Sequence, residues 1–270
     1  NHDDLMKGAE LTFHMGAQPN KSWAQKAENR PYSENGKKVT KLPYIRSGAE
    51  LFMDSARIAL ACETAGAEIR YTLNGAEPDQ NSALYRAPFK IGKTTLLKMK
   101  AWHPGLTTSI TIETLIKKAE LKDAVLISDV LPGLDYDYFE RFFVQATDMD
   151  LVRPVATGVT QDFNIRLAKV PNYFGIWFKG YVKVPADGLY TFYITSNDGS
   201  YLYLDGKELI ENDGNHGAVE EPCSIALKAG YHAIEVKYMQ CGGGKQLKVG
   251  WEGPGIAKAE IPPEVLFRKR

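Results

Sequence analysis

The run Gly175-Ile-Trp-Phe-Lys-Gly-Tyr-Val-Lys-Val-Pro-Ala-Asp-Gly-Leu-Tyr-Thr-Phe192 decides the fold. Ile176, Phe178, Gly180, Val182 and Val184 fall on one face of an extended chain, and Trp177, Lys179, Tyr181 and Lys183 on the other. That alternation has the period of a strand, whose successive side chains point to opposite sides. Ala186-Asp187-Gly188 turns the chain into a second β-rich run, Leu189–Ser196. Working outward, Tyr201–Leu204 ends in the turn pair Asp205-Gly206, Ala233–Gln240 alternates cleanly, and Gln246–Trp251 follows a Gly242–Gly244 loop. Toward the N-terminus, Arg57–Cys62, Ala67–Leu73, Thr94–Trp102 and Thr107–Ile116 read as short strands. Ile69, Tyr71 and Leu73 share a face there, and Asn74-Gly75 is a turn. Ser128–Phe143 has room for a short helix, but Pro132-Gly133 interrupts it. The chain reads as all-β.

The chain has 270 residues, room for about two domains. Residues 1–44 are polar and irregular apart from one alternating run, Ala9–Met15, read as a half-buried strand. Residues 45–119 have the spacing of a small sandwich, and residues 120–270 carry the stronger β signal. Lys and Arg total 33, as do Asp and Glu, so the net charge is zero and no long-range field collects phosphate. Broad nucleic-acid binding and docking on anionic lipid are therefore not expected. No apolar run approaches the ~20 residues of a membrane span. Asn1-His-Asp-Asp has neither the basic nor the apolar region of a signal peptide, so the chain is expected to be a piece of a longer or matured protein. Cys62, Cys223 and Cys241 lack metal-type spacing; Cys223 and Cys241 are the pair an oxidising compartment would join, and buried thiols are the expected state.

Hydrolytic constellations are missing: no Gly-x-Ser-x-Gly, no His-Glu-x-x-His, and five scattered histidines with no i, i+4 pair. Ser196-Asn-Asp-Gly-Ser200 and Asn212-Asp-Gly-Asn-His-Gly217 are dense in oxygen ligands. Two readings stand side by side: turn-formers between strands, or a site for a hard cation whose shell sugar hydroxyls complete. Trp177, Tyr181, Tyr201, Tyr203, Tyr238 and Trp251 likewise either stack on a sugar or fill a core, and Trp177 and Trp251 are expected in the core. His216 is expected to hydrogen-bond loop backbone, and His232 to be a structural imidazole.

With those residues in view, residues 121–267 resemble the anthrax protective-antigen (PA-fourteen) domain. The match runs in order through Gly175–Phe192, Ser196–Ser200, Leu204–Lys207, Asn212–Gly217, Leu227–His232 and Trp251-Glu-Gly-Pro-Gly255. The resemblance implies a β-sandwich that often binds carbohydrate. In yeast adhesin members, two adjacent Asp residues joined by a cis peptide hold a calcium that ligates sugar hydroxyls. The matching pair here is Asn197-Asp198, which keeps the oxygen of the first residue and loses its charge. Residues 45–118 resemble the small Fn-three-like domain of chitobiases, through Ala67–Pro78, Ser82–Tyr85, Pro88 and Lys98–Trp102; a spacer or accessory sandwich is implied. His2–Gly8, Leu11–Gly16 and Pro19–Trp23 are similar to the closing segment of family ninety-two glycoside hydrolases, calcium-dependent exo-α-mannosidases of gut bacteria.

The expectation is then a small Fn-three-like sandwich followed by a larger PA-fourteen-type sandwich, the non-catalytic accessory region of an exported bacterial α-mannosidase. Mannose-containing glycan would bind at Asn197, Asp198, Tyr201, Asn212, Asp213, Asn215 and His216, with calcium, if bound, at Asn197 and Asp198. The upstream catalytic module would be the partner within the same protein. The alternative is architectural: both sandwiches buttress that module and bind nothing.

Overall fold

The structure is a computed structural model that describes residues 38–48 and 50–270. The Ala9–Met15 strand and the mannosidase-like motifs of residues 1–23 lie outside the described residues.

The first group of strands is β1 (Pro43–Ser47), β2 (Leu51–Phe52), β3 (Ala56–Cys62), β4 (Glu68–Thr72), β5 (Ala83–Leu84), β6 (Phe89–Ile91), β7 (Thr95–Trp102) and β8 (Ile112–Lys118). They form a three-stranded sheet, β1-β3-β6, and a five-stranded sheet, β2-β8-β7-β4-β5. In β7 every second residue is buried, from Thr95 through Leu97 and Met99 to Ala101. Leu97 and Met99 meet Ile58, Leu60, Ile69 and Ile116 in a core of their own. Three details differ from expectation. Leu73 lies beyond β4 and is largely exposed. Asn74-Gly75 opens a longer loop to β5 instead of closing a tight hairpin. The last strand begins at Ile112, because Thr107–Thr111 runs irregularly over the end of the sheet.

The second group is β9 (Val130–Pro132), β10 (Leu134–Glu140), β11 (Ala156–Thr160), β12 (Phe174–Val184), β13 (Gly188–Asn197), β14 (Ser200–Leu204), β15 (Lys207–Asn212), β16 (Val219–Leu227), β17 (Gly230–Gln240), β18 (Gln246–Gly253), β19 (Ile256–Glu260) and β20 (Leu266–Lys269). One sheet runs β11-β10-β12-β17-β14-β15, with β20 and β9 attached along β12; the other runs β16-β13-β18-β19. Ile176, Phe178, Val182 and Val184 point inward and pack on Tyr190, Phe192, Ile194 and Trp251 of the opposing sheet. This is the face assignment read from the sequence, and the all-β fold holds.

Two expectations are corrected here. Ser128–Phe143 forms strands β9 and β10, not a helix. Gly133 joins them at φ +95°, and a Cβ there would meet the Thr160 carbonyl 2.5 Å away, so Pro132-Gly133 marks a kink between strands. Trp177 stands on the outer face of its sheet. There the ammonium groups of Lys179 and Lys237 sit 4.0 and 4.3 Å from its ring centroid, and its indole N–H donates to Glu235 at 2.9 Å. Trp251 is in the core as expected, 2% exposed.

The β14–β15 hairpin turns on Asp205 and Gly206, both at positive φ (48° and 72°), as a two-residue primed turn requires. Asp205 is also pinned from β17. Its Oδ1 accepts from the Ala233 amide at 2.8 Å and its Oδ2 lies 2.9 Å from His232 Nδ1 and 3.3 Å from Lys122 Nζ. The linker that carries Lys122 runs against the turn between β16 and β17, bridging Lys122 to Leu227 at the end of β16 and Val125 to Tyr231 at the start of β17.

Candidate functional site

β13 ends at Asn197, β15 at Asn212 and β17 at Gln240, so the three loops that follow them gather at one end of the second sandwich. The Asn197–Asp198 peptide is cis. Asp198 is 1% exposed, and its Oδ2 accepts from the backbone amides of Cys241 (2.7 Å) and Gly242 (3.2 Å). The carboxylate thus fastens the 196–200 loop to the glycine-rich loop after β17. Gln240 holds the same loop from below: its Nε2 donates to the carbonyls of Gly242 (3.0 Å) and Gly244 (3.1 Å). The Tyr238 hydroxyl lies 2.5 Å from both the Asn197 carbonyl and Gln240 Oε1. Burial first, then the nearby Asp198 charge, pushes that phenol well above its usual pKa, so it stays a proton donor.

The 212–217 loop closes against this pair. Gly199 has no room for a side chain: a Cβ would run into Asp213 Oδ1 and the Gly214 amide. Asp213 Oδ1 also accepts from the Ala146 amide at 3.1 Å, which docks a 3₁₀ turn, Ala146–Leu151, on the rim. Asn212 is 7% exposed and donates to Ser196 Oγ (3.1 Å) and the Val219 carbonyl (3.0 Å). His216 folds back on its own loop, with Nδ1 2.7 Å from the Gly217 carbonyl and Nε2 3.2 Å from that of Asn212.

The expected site residues therefore do assemble, in two layers. Asn197, Asp213, Asn215 and His216 reach the surface of the rim, with Asn215 the most exposed. Asp198 and Asn212 lie beneath it as fasteners. Tyr201 is 7% exposed and belongs to a satellite core with Phe139, Phe143, Met149, Met239 and Cys241, so its ring offers no open face. Burial, then Asp213 and Glu211, raise its pKa strongly. Cys241 lies beside it, its thiol pushed up by burial, then by Asp198 and Asp213. All three cysteines are free, and of them only Cys241 is buried, contrary to the expectation of three buried thiols. Gln240 and the Gly242–Gly244 carbonyls had no place in the sequence reading beyond a loop; their signal was a glycine triplet directly after an alternating strand.

Calcium takes six to eight oxygens. Asp198 has Oδ2 committed to two amides, Asn197 is uncharged, and the Gly242 and Gly244 carbonyls already accept from Gln240. Among the described residues, no group of three or more His, Cys, Asp or Glu side chains is placed to hold a metal ion. The carboxylate and amide oxygens are also acceptors, and the amide N–H groups donors, for direct hydrogen bonding on one polar ledge.

Comparison with known proteins matches the two sandwiches to two different domains. Residues 132–264 match the PA14 domain, and residues 48–114 match the chitobiase/β-hexosaminidase C-terminal domain. The chain carries both domains. A β-hexosaminidase of Porphyromonas gingivalis (strain ATCC BAA-308 / W83) is 26% identical over 174 residues, 61% of this chain and 22% of that protein. The chain thus spans about a fifth of the length of that relative. The PA14 domain of the MpAFP antifreeze protein aligns with 55% of this chain and 96% of its own, at 19% identity and a TM-score of 0.45. The A domain of epithelial adhesin 9 from Candida glabrata, solved with Galb1-3GlcNAc, aligns with 56% of this chain and 95% of its own, at 12% identity and a TM-score of 0.44. No helix among the described residues is long and apolar enough to cross a membrane.

Proposed function

We propose that the second sandwich binds carbohydrate at the ledge around Asp198, and that the two sandwiches form an accessory region holding glycan close to a glycoside hydrolase. The observation that carries this reading is the convergence of the 197–199, 212–217 and 241–244 loops, locked by the Asp198 carboxylate on the Cys241 and Gly242 amides. A ledge fixed from below is preorganised, so little ordering is lost when a sugar hydrogen-bonds to it. The PA14 and chitobiase-type domains and the β-hexosaminidase relative support the association with glycan hydrolysis. Within this reading the parent enzyme is an exported bacterial α-mannosidase, an assignment that rests on the motifs of residues 1–23; the curated relative is a β-hexosaminidase, so both glycan types belong in the test.

The test is isothermal titration of chelator-treated protein with an α-linked mannose tetrasaccharide and with a chitin tetrasaccharide, repeated with added calcium. Saturable binding to one of them is expected without calcium, weakened about tenfold or more in Asp198→Ala, whose loop loses its fastening. Flat heats for both sugars under both conditions overturn the reading and leave the architectural role.

A further inference from the structure

Phe142 and Tyr173 are 56% and 55% exposed, and their rings meet edge to face with centroids 5.9 Å apart. Two aromatic rings held together in water are unusual, because such rings are strong contributors of buried area in cores and interfaces. Their chain neighbours reach the base of the glycine-rich loop. Phe143 packs in the same satellite core as Cys241, and its carbonyl accepts from the Cys241 thiol at 3.6 Å. Phe174 pairs with Gln240 across the sheet, and Lys245 sits 6.0 Å from its ring. The two exposed rings thus rise from the residues directly before those that contact the glycine-rich loop. Tyr173 holds its position at φ +58°, a conformation that is a genuine outlier for a bulky residue and that tends to cluster at ligand sites.

We infer that Phe142 and Tyr173 form the apolar wall of the carbohydrate site, against which the C–H face of a pyranose packs while its hydroxyls reach the polar ledge. The inference rests on the proposed glycan-binding reading and deepens it. A sugar ring has one hydroxylated edge and one apolar face, and the polar ledge and the exposed ring pair would serve one each. The occupant is a pyranose of a glycan, and not a protein, because an oxygen-rich ledge adjoins the rings.

The titrations above, with the same mannose and chitin tetrasaccharides, test it in Phe142→Ala, Tyr173→Gly and Tyr173→Trp. Glycine relieves the positive φ, and both positions are more than half exposed, so thermal unfolding should match wild type. Phe142→Ala and Tyr173→Gly are each expected to bind the sugar roughly tenfold more weakly, with Tyr173→Trp restoring it. If wild type binds and Asp198→Ala fails while both ring truncations bind normally, the wall is overturned and the ledge stands. Ring truncations that leave sugar affinity untouched but abolish self-association in sedimentation would overturn it in favour of a protein contact. Absence of binding in wild type overturns ledge and wall together.

Discussion

His232 is fully buried, and both its ring nitrogens face oxygen acceptors: Asp205 Oδ2 at 2.9 Å and the Lys228 carbonyl at 2.9 Å. A neutral imidazole has a single N–H, so only the imidazolium satisfies both. Burial opposes the charge, but the bonds to Asp205 and Lys228 outweigh it and raise the pKa above the usual histidine value. Asp205 is shifted the other way: burial opposes its charge, and His232, Ala233 and Lys122 hold its pKa below the carboxylate norm. A raised histidine stabilises fully below the unfolded value of about 6.5 and loses that contribution as pH rises through the folded value; the depressed Asp205 loses its own as pH falls toward the acid range. Urea unfolding between pH 6 and pH 9 should therefore show stability declining with rising pH, and His232→Ala should flatten the profile while costing about 3 kcal/mol at pH 6. At this scale the sequence was a partial guide. His232 within an alternating strand was readable as structural, and the Asn197-Asp198 pair stood out between two strands. Phe142 and Tyr173 did not, because an aromatic beside another aromatic carries the same letters whether it is buried or held in solvent.

The β14–β15 hairpin shows how an element can be legible in full. Asp205-Gly206 between alternating runs announces a two-residue turn, and the backbone there has both residues at positive φ. Gly206→Val should cost about 1–2 kcal/mol in chemical denaturation, whereas Lys207→Ala, next to it and exposed, should cost almost nothing. The Ser128–Phe143 region shows the opposite case. Pro132-Gly133 looks the same as a helix breaker and as a kink between strands, and the choice was made by the Thr160 carbonyl of β11, far along the chain. Trp177 was misplaced for a related reason. Its alternation put it outside, but its size argued for the core; what reconciles the two is the cross-strand row of Asp137, Trp177, Lys237 and Tyr201, in which long ammonium stems cover the ring.

At the scale of the molecule, two separate apolar cores lie along the chain, one built on Ile58, Leu97 and Ile116 and the other on Phe178, Phe192 and Trp251. Each sheet draws its strands from one side of the linker only. Two cores that share no strand should unfold as separate cooperative units. Calorimetry is expected to resolve two transitions, and a fragment of residues 120–270 should reproduce the later-chain transition with unchanged midpoint; one transition lost altogether in the fragment would show that the cores depend on each other. The order of two sandwiches was visible in strand spacing alone, whereas the two-layered ledge was not, since which oxygens face solvent and which hold the loops depends on pairings between residues 43 and 44 positions apart, such as Asp198 with Cys241 and Gly242.

Strand β17 is also a ruler. Its first residue, Gly230, lies next to Tyr231, where the linker bridges on through Val125, and its last, Gln240, holds the glycine-rich loop. The strand is eleven residues long, and its two ends stand about 35 Å apart. Under the proposed role, a glycan held at the ledge and long enough to reach back to the linker has its far end confined to a region of this radius, at a local concentration on the order of 10 mM. That geometry would favour long or surface-bound polysaccharides over free disaccharides, which are too short to reach both ends of the strand.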